Sequence, residues 1–177
     1  MQMLDKHIWR SMISLSTKLR LYNVYILPVF LHGAETWSIK TITKAIEKRI
    51  IDAFDQWCLR HILNISWSER VTNFEVRRRT GQPLLSDTVR TRRRKLFDHV
   101  ARVDKSQDHS RTLQACISSA PRNWRRRPGR PRHTWLRTVE EDLRQFNLGL
   151  ASGLRRAQNR RIWRTLTGTA TSPTSSD

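Results

Sequence analysis

The sequence predicts an all-α fold, an irregular helical domain of about six helices. Three observations support this class: apolar residues recur at helical spacing, helix-capping residues stand at segment ends, and no segment shows the period-two alternation of a β-strand. A basic linker rich in proline, glycine and arginine interrupts the helices. A tail rich in serine and threonine follows them, and we predict that this tail is disordered.

Residues 1–70 form the first predicted helical region. From Ser16 an apolar stripe indicates one helix, which Pro28 kinks and Gly33 ends. A longer helix is predicted from Thr43 to about Leu63. Its predicted buried face consists of Ile46, Ile50, Phe54, Trp57, His61 and Ile62, whereas Asp52 and Asp55 are placed off that face.

Residues 71–120 form a basic helical region that begins with a clear start signal. Thr72 and Glu75 have the spacing of a capping box, and Val71 and Val76 are placed as a hydrophobic staple. The short helix that follows is predicted to end at Gly81, because glycine accepts the left-handed conformation found after helices.

Two further helices complete this region. Ser86 is predicted to cap a helix over about Asp87–Val103, and a short helix is predicted over Arg111–Ser118. Both carry apolar residues at helical spacing, so each is expected to bury one face.

The C-terminal part begins with the basic extended linker, residues 121–133. A helical pair is predicted over residues 134–166, with one helix over Thr134–Phe146 and one over Ser152–Leu166. The disordered tail is assigned to residues 167–177.

The charge of the chain is large and unevenly distributed. Its formal net charge is +19, and residues 77–164 carry 24 Lys and Arg against 7 Asp and Glu. Such a charge is not needed for folding and opposes it by self-repulsion, so it indicates a polyanionic partner such as RNA or DNA. Of these 24 basic residues 22 are arginine, which binds phosphate bidentately and stacks on bases.

The predicted nucleic-acid contacts fall in three basic clusters that contain few acids. Two tryptophans bracket the third cluster: Trp124 is expected either to stack on bases or to pack in the core, whereas Trp135 is predicted to pack in the core. The predicted contact residues are Arg77, Arg78, Arg79, Arg90, Arg92, Arg93, Arg94, Lys95, Arg122, Trp124, Arg125, Arg126, Arg127, Arg130 and Arg132.

Catalytic, metal and cofactor sites are not predicted. The only acidic cluster, Glu140–Asp142, is interpreted as a solvated helix face paired with Arg137 and Arg144. Cys58 and His61 have a zinc-like spacing without a second pair, and we interpret them as a buried thiol and a satisfied histidine. The scattered glycines form no phosphate-binding loop.

The cellular compartment is inferred from cysteine content and hydropathy. Two cysteines are too few for a disulfide framework and indicate a reducing environment. No apolar run approaches the length of a transmembrane helix, and the N-terminus lacks a signal-peptide core. We therefore expect a location in the nucleus or cytoplasm and no membrane partner.

Six phrases of the sequence, taken together, resemble one protein family. They are Leu31–Trp37, Phe54–Arg60, Ile65–Asn73, Arg93–Arg102, Arg127–Trp135 and Ala157–Arg164. In this order and at these gaps they resemble the C-terminal end of the endonuclease–reverse transcriptase polyprotein of non-LTR (LINE-type) retrotransposons. The resemblance covers residues 15–166 and departs from the family at Asn159, where an acidic residue is usual.

The resemblance implies a division of the chain and a lack of catalysis. The segment up to about Trp67 would correspond to the thumb region, and the rest to a C-terminal domain that contacts template RNA or target DNA. In the family the endonuclease and the polymerase palm, with its metal-binding aspartates, lie upstream. The resemblance therefore implies a non-enzymatic fragment whose partners are nucleic acid and that upstream palm.

Two alternatives remain open at this point. The chain is alternatively a relic gene fragment without independent activity. It is otherwise a DNA-binding regulatory module, because Pro128–Arg132 resembles an AT-hook, a short segment that inserts arginine into the A·T minor groove.

Overall fold

A computed structural model of the chain describes residues 8–38, 44–118, 122–125, 128–129 and 134–169. The predicted all-α class is confirmed: these residues form nine α-helices and no β-strand. The count exceeds the predicted total of about six, and two segments that were predicted as single helices are each divided. Contacts group the chain into two compact units, unit 1 (Met1–Ala34 and Ile42–Val89) and unit 2 (Glu35–Thr41 and Arg90–Asp177).

The helices of unit 1 are α1 (Leu15–Leu21), α2 (Leu27–Phe30), α3 (Lys44–Ile62), α4 (Asn73–Thr80) and the first residues of α5 (Leu85–Arg102). Unit 2 contains the rest of α5 together with α6 (Asp108–Ile117), α7 (Trp135–Arg144), α8 (Leu150–Ala157) and α9 (Arg160–Thr169).

The first helical segment is divided by an irregular turn rather than by a simple kink. Residues Tyr22–Ile26 form a π-helical turn that joins α1 to α2, and Pro28 lies in the first turn of α2. Proline has no backbone N–H and cannot complete the preceding helical hydrogen bonds, so the irregularity falls just before it. Gly33 has a φ of 66°, in agreement with the predicted stop.

The predicted buried face of α3 is only partly correct: Ile62 is buried and Phe54 packs against the same core. Ile50 and Trp57 are exposed, whereas Asp55 is buried beside the apolar residues of the same helix. The observed core of unit 1 is rotated around the helix because Asp55 has polar partners inside the unit, described below. This core consists of Trp9, Tyr22, Cys58, Leu59, Ile62 and Val76.

The start and end of α4 agree with the prediction. The Thr72 hydroxyl accepts a hydrogen bond from the Glu75 N–H at 3.3 Å. Val76 is fully buried, with Val71 packed against the same core. Gly81 has a φ of 63°, and its N–H donates to the Arg77 carbonyl at 2.8 Å. Local signals are sufficient here because each cap contact spans only three or four residues.

The predicted Ser86 cap of α5 is wrong in its role. The helix begins at Leu85, two residues before the predicted start at Asp87, and Ser86 is itself a donor. Both its backbone N–H and its hydroxyl donate to the Asp52 carboxylate at 2.9 Å. A carboxylate from α3 therefore satisfies N-terminal donors of α5, at the end where negative charge is favoured.

The core of unit 2 is assembled from its helices and the loop before α8. Its buried members are Phe97, Ala101, Leu113, Val139, Leu143, Leu148, Ala157 and Trp163. Gly153 of α8 lies against Leu143 so closely that a Cβ atom there would be 2.6 Å from a leucine methyl group. The absence of a side chain at residue 153 thus permits close packing of α8 on α7.

The boundaries of the later helices differ from the prediction. Helix α6 begins at Asp108, three residues before the predicted start. The helix predicted over Ser152–Leu166 is two helices, because the Asn159 side chain accepts hydrogen bonds from the Arg161 and Ile162 N–H groups at 3.1 and 3.2 Å and so starts α9.

The predicted disordered tail, residues 167–177, begins too early. Helix α9 continues to Thr169. The remaining residues of the tail lie outside the described part of the chain.

Candidate nucleic-acid interface

The first predicted cluster, Arg77–Arg79, divides into one structural arginine and two surface arginines. Arg77 is half-buried, with its guanidinium 2.5 Å from the Asp55 carboxylate. It also donates to the Pro83 carbonyl at 2.6 Å, so its charge is used to join α3, α4 and the following turn. Arg78 and Arg79 are exposed, and both pair with Glu75 at 2.7 Å.

A buried polar network accounts for the position of Arg77. The Tyr22 hydroxyl donates to the Asp55 carboxylate at 2.5 Å, opposite the contact with Arg77. Burial raises the pKa of Asp55, although these two partners act in the opposite direction. Burial, reinforced by Asp55, also raises the pKa of Cys58 to about 11. The network was not predicted, because its members come from three separate helical segments.

The second cluster, on α5, also contains residues that point into the protein. Arg93 is 2% exposed, and its Nε atom lies 3.2 Å from the Asp142 carboxylate of α7. Arg90 is 4.0 Å from the same carboxylate. Burial lowers the pKa of Arg93, and the charge of Asp142 opposes this effect. This pair therefore holds α5 on α7 within unit 2.

The acidic cluster of α7 is thus partly misassigned by the sequence prediction. Asp142 was predicted to be solvated and paired with Arg137 and Arg144, but it is 4% exposed and pairs with Arg93. The physical reason is that the buried Arg93 guanidinium of another helix lies beside the carboxylate and supplies the opposite charge.

The other α5 residues of the cluster have mixed environments. Arg94 is buried, with its guanidinium 5.1 Å from the centre of the Phe146 ring. It also donates to the Thr91 hydroxyl at 3.1 Å. Arg92 is half-buried, and Lys95 is exposed. Of this cluster, which the structure describes completely, Lys95 alone is exposed.

The third cluster is described at only some of its positions. Arg122, Trp124 and Arg125 are all exposed, with Trp124 exposed over 60% of its surface. The indole of Trp135 instead donates to the Glu35 carbonyl at 2.8 Å and packs against the core of unit 2, as predicted. The predicted contacts Arg126, Arg127, Arg130 and Arg132 lie outside the described residues.

The structure reveals a basic surface that the sequence prediction missed. It consists of five exposed arginines around the turn between α8 and α9, here called the α8–α9 cluster: Arg155, Arg156, Arg160, Arg161 and Arg164. The sequence contains no Asp or Glu from residue 143 to residue 169. This interval without acids indicates a basic surface. The prediction rested instead on the apolar residues of these helices, which indicate only their buried faces.

The arrangement of the α8–α9 cluster is electrostatically unfavourable for the isolated protein. Arg160 and Arg164 are four residues apart on one helix face, where like charges repel. Arg160 and Arg161 also occupy the first turn of α9, at the positive end of the helix dipole. Burial first, then the charges of Arg160 and Arg164, lower the pKa of nearby Arg102. These contributions favour the binding of an anion at this turn.

No group of three or more His, Cys, Asp or Glu among the described residues is arranged to hold a metal ion. None of the described helices combines the length and the apolar character required to cross a bilayer.

Comparisons with family models, with curated proteins and with solved structures give no match to this chain.

Proposed function

We propose that this chain is a non-catalytic nucleic-acid-binding protein that holds RNA or DNA by the phosphate backbone. The observation that carries the proposal is the α8–α9 cluster, with five exposed arginines in ten residues and no acid in the surrounding interval. Guanidinium groups in such density favour an extended polyanion over a single small anion, because one phosphate would leave most of them unpaired.

A second contact region is proposed at the described part of the third cluster. Arg122 and Arg125 flank an exposed Trp124, which combines phosphate attraction with a surface for base stacking. Lys95 extends the positive surface of unit 2, whereas the exposed arginines of α4, Arg78 and Arg79, are paired with Glu75 and are left out of the proposed surface. Arg77, Arg93 and Arg94 are assigned to internal contacts and are left out of the proposed surface.

We further propose that this binding role is that of the C-terminal region of a non-LTR retrotransposon reverse transcriptase. The support is the order and spacing of the six phrases, together with the excess charge of residues 77–164. On this proposal the polymerase and endonuclease residues belong to other parts of the parent polyprotein. The chain by itself then binds nucleic acid and neither copies nor cleaves it.

A salt titration of two triple variants tests the binding surface. Replacing Arg160, Arg161 and Arg164 with alanine should weaken binding to RNA and DNA of any sequence. It should also reduce the slope of log affinity against log salt by about two to three, since each lost duplex phosphate contact contributes about 0.9. Fluorescence anisotropy between low and moderate salt measures both quantities.

The control removes the same charge from arginines that are paired with acids. The exposed residues Arg78, Arg79 and Arg111 pair with Glu75 or Asp108, so their replacement with alanine should change the slope much less. Equal losses in the two triple variants would contradict the assignment to the α8–α9 cluster. Binding that did not weaken with salt would contradict phosphate recognition altogether.

A further inference from the structure

Unit 1 contains an open cleft that the basic clusters do not explain. Its volume is about 500 Å³, which lies in the range of small-ligand sites. Its lining residues are Trp57, Arg60, His61, Ile65, Arg70 and Val71, so it combines aromatic, apolar and cationic groups. No acidic residue is among them.

Trp57 supplies a stacking surface at this cleft. It lies on α3 with 47% of its surface exposed, which is unusual for the largest apolar side chain. Its ring stacks on His61 with a centroid distance of 5.6 Å and an angle of 12° between the planes. The histidine therefore fixes the orientation of the indole, while the rest of the indole surface remains open.

The two arginines of the cleft differ in their hydrogen bonding. Arg60 is held in place, because its guanidinium donates to the Val71 carbonyl at 2.6 Å and to the Asn73 side chain at 2.9 Å. Arg70 is exposed and has a φ of 50°, a conformation that is uncommon for residues other than glycine. Among the described residues, no ion pair or hydrogen bond to the Arg70 guanidinium is found. One fixed cation and one available cation thus stand beside the exposed indole.

These groups match the parts of one nucleotide. An indole face accepts a nucleobase by stacking, the apolar side chains of Ile65 and Val71 cover its edge, and a guanidinium binds the attached phosphate. A base in a duplex is already stacked and paired, so its faces are not available to the indole. The cleft therefore fits an unpaired base.

We propose that this cleft binds an unpaired base of single-stranded RNA or DNA, with Trp57 as the stacking residue and Arg70 as the phosphate contact. The proposal rests on the proposed function, because it takes the same polymer as ligand. It adds a site in unit 1 that distinguishes single-stranded from double-stranded nucleic acid, whereas the α8–α9 cluster recognises only the phosphate charge.

The test compares two ligands and three variants. The full chain is titrated with a fluorescent twelve-nucleotide oligouridine and with a fluorescent RNA duplex. Trp57→Ala should weaken oligouridine binding about 5- to 150-fold, which is the effect of removing one base stack. It should leave duplex binding within about twofold, and Trp57→Phe should restore most of the loss. Tyr25→Ala removes another exposed aromatic residue of unit 1, outside the cleft, and should leave both affinities unchanged.

A photo-crosslink locates the base directly. Oligouridine that contains 5-iodouridine should crosslink to the peptide carrying Trp57 when the complex is irradiated, and mass spectrometry identifies that peptide. Circular dichroism of each variant shows whether the helices are retained.

The outcomes separate this inference from the proposed function. If the wild-type chain binds neither ligand, the proposed function fails and the cleft proposal fails with it. If both ligands bind but Trp57→Ala behaves like wild type and no crosslink reaches its peptide, only the cleft proposal is overturned. An equal loss of affinity for both ligands would also overturn it. A duplex offers no unpaired base, so the loss of a base-stacking residue should not weaken duplex binding.

Discussion

Replacing Asp142 with alanine should destabilise unit 2 strongly, because it leaves the charge of Arg93 buried without its partner. Both side chains of this pair are 2% exposed, and 3.2 Å separates the Arg93 Nε atom from the Asp142 carboxylate. Arg90 is a second cation near that carboxylate, at 4.0 Å, so removal of the acid also leaves two positive charges near one another.

The magnitude follows from the burial of the pair. Removing one partner of a buried ion pair costs about 3–5 kcal/mol, whereas an ordinary surface substitution changes stability by no more than about 0.5 kcal/mol. Small proteins are stable by only about 5–15 kcal/mol in total. With a urea dependence of about 2 kcal/mol per molar, the unfolding midpoint should fall by about 1.5–2.5 M.

Urea unfolding followed by circular dichroism measures this effect. The matched control is Glu140→Ala, which removes one negative charge from the same helix at a partly exposed position. A second variant replaces the pair together, with Arg93→Met and Asp142→Leu. It should be more stable than Asp142→Ala because no charge is left buried. Equal midpoints for Asp142→Ala and Glu140→Ala would refute the reasoning.

The other predictions concern packing and pH. Gly153→Ala should destabilise unit 2 by about 1–3 kcal/mol through overpacking, although alanine is the better helix former. Gly168→Ala, in α9 with no neighbour within 4 Å of the added Cβ, should instead stabilise by about 0.5–1 kcal/mol, and urea midpoints in which both variants gain stability would contradict the packing argument. Hydrogen bonds from two arginines lower the pKa of Glu75 from 4.5 to about 2. Its stabilising effect is therefore complete above about pH 4.5 and is lost as the pH falls toward 2. Glu75→Gln should show a shallower loss of stability over this interval in urea midpoints measured from pH 6 to 2, and an unchanged profile would count against the pairing.

The parts of the fold that depend on near neighbours were predictable from the sequence. Thr72 and Gly81 were identified as the limits of α4 because each forms its cap with residues three or four positions away. The all-α class followed from the same local periodicity. Arg122 and Arg125 are exposed, and the sequence contains no Asp or Glu between Asp108 and Glu140.

The parts that depend on distant partners were not predictable. Asp55 looks like a surface residue in sequence, and only Tyr22, 33 residues earlier, and Arg77 make its burial possible. Arg93 likewise looks like one more residue of a basic run, but its environment is decided by Asp142 on another helix. Because charged side chains are usually exposed, a sequence-based prediction places them on the surface. It therefore misplaces those that form buried ion pairs.

The α8–α9 cluster was not predicted because the break between α8 and α9 was not predicted. Apolar residues at helical spacing suggested a continuous helix through Asn159, whereas its side chain caps α9. That break places two arginines in the last turn of α8 and two in the first turn of α9. Their density around a single turn is visible only once the break is known.

The α8–α9 cluster has a consequence for how this chain can change over generations. Its like charges and its position at the start of α9 oppose folding, so a neutral residue at Arg160 or Arg161 should make the isolated protein more stable. The same change should lower the affinity for a polyanion. Selection for stability alone would therefore favour the replacement of these arginines by neutral residues. Their retention in related sequences would indicate selection for anion binding.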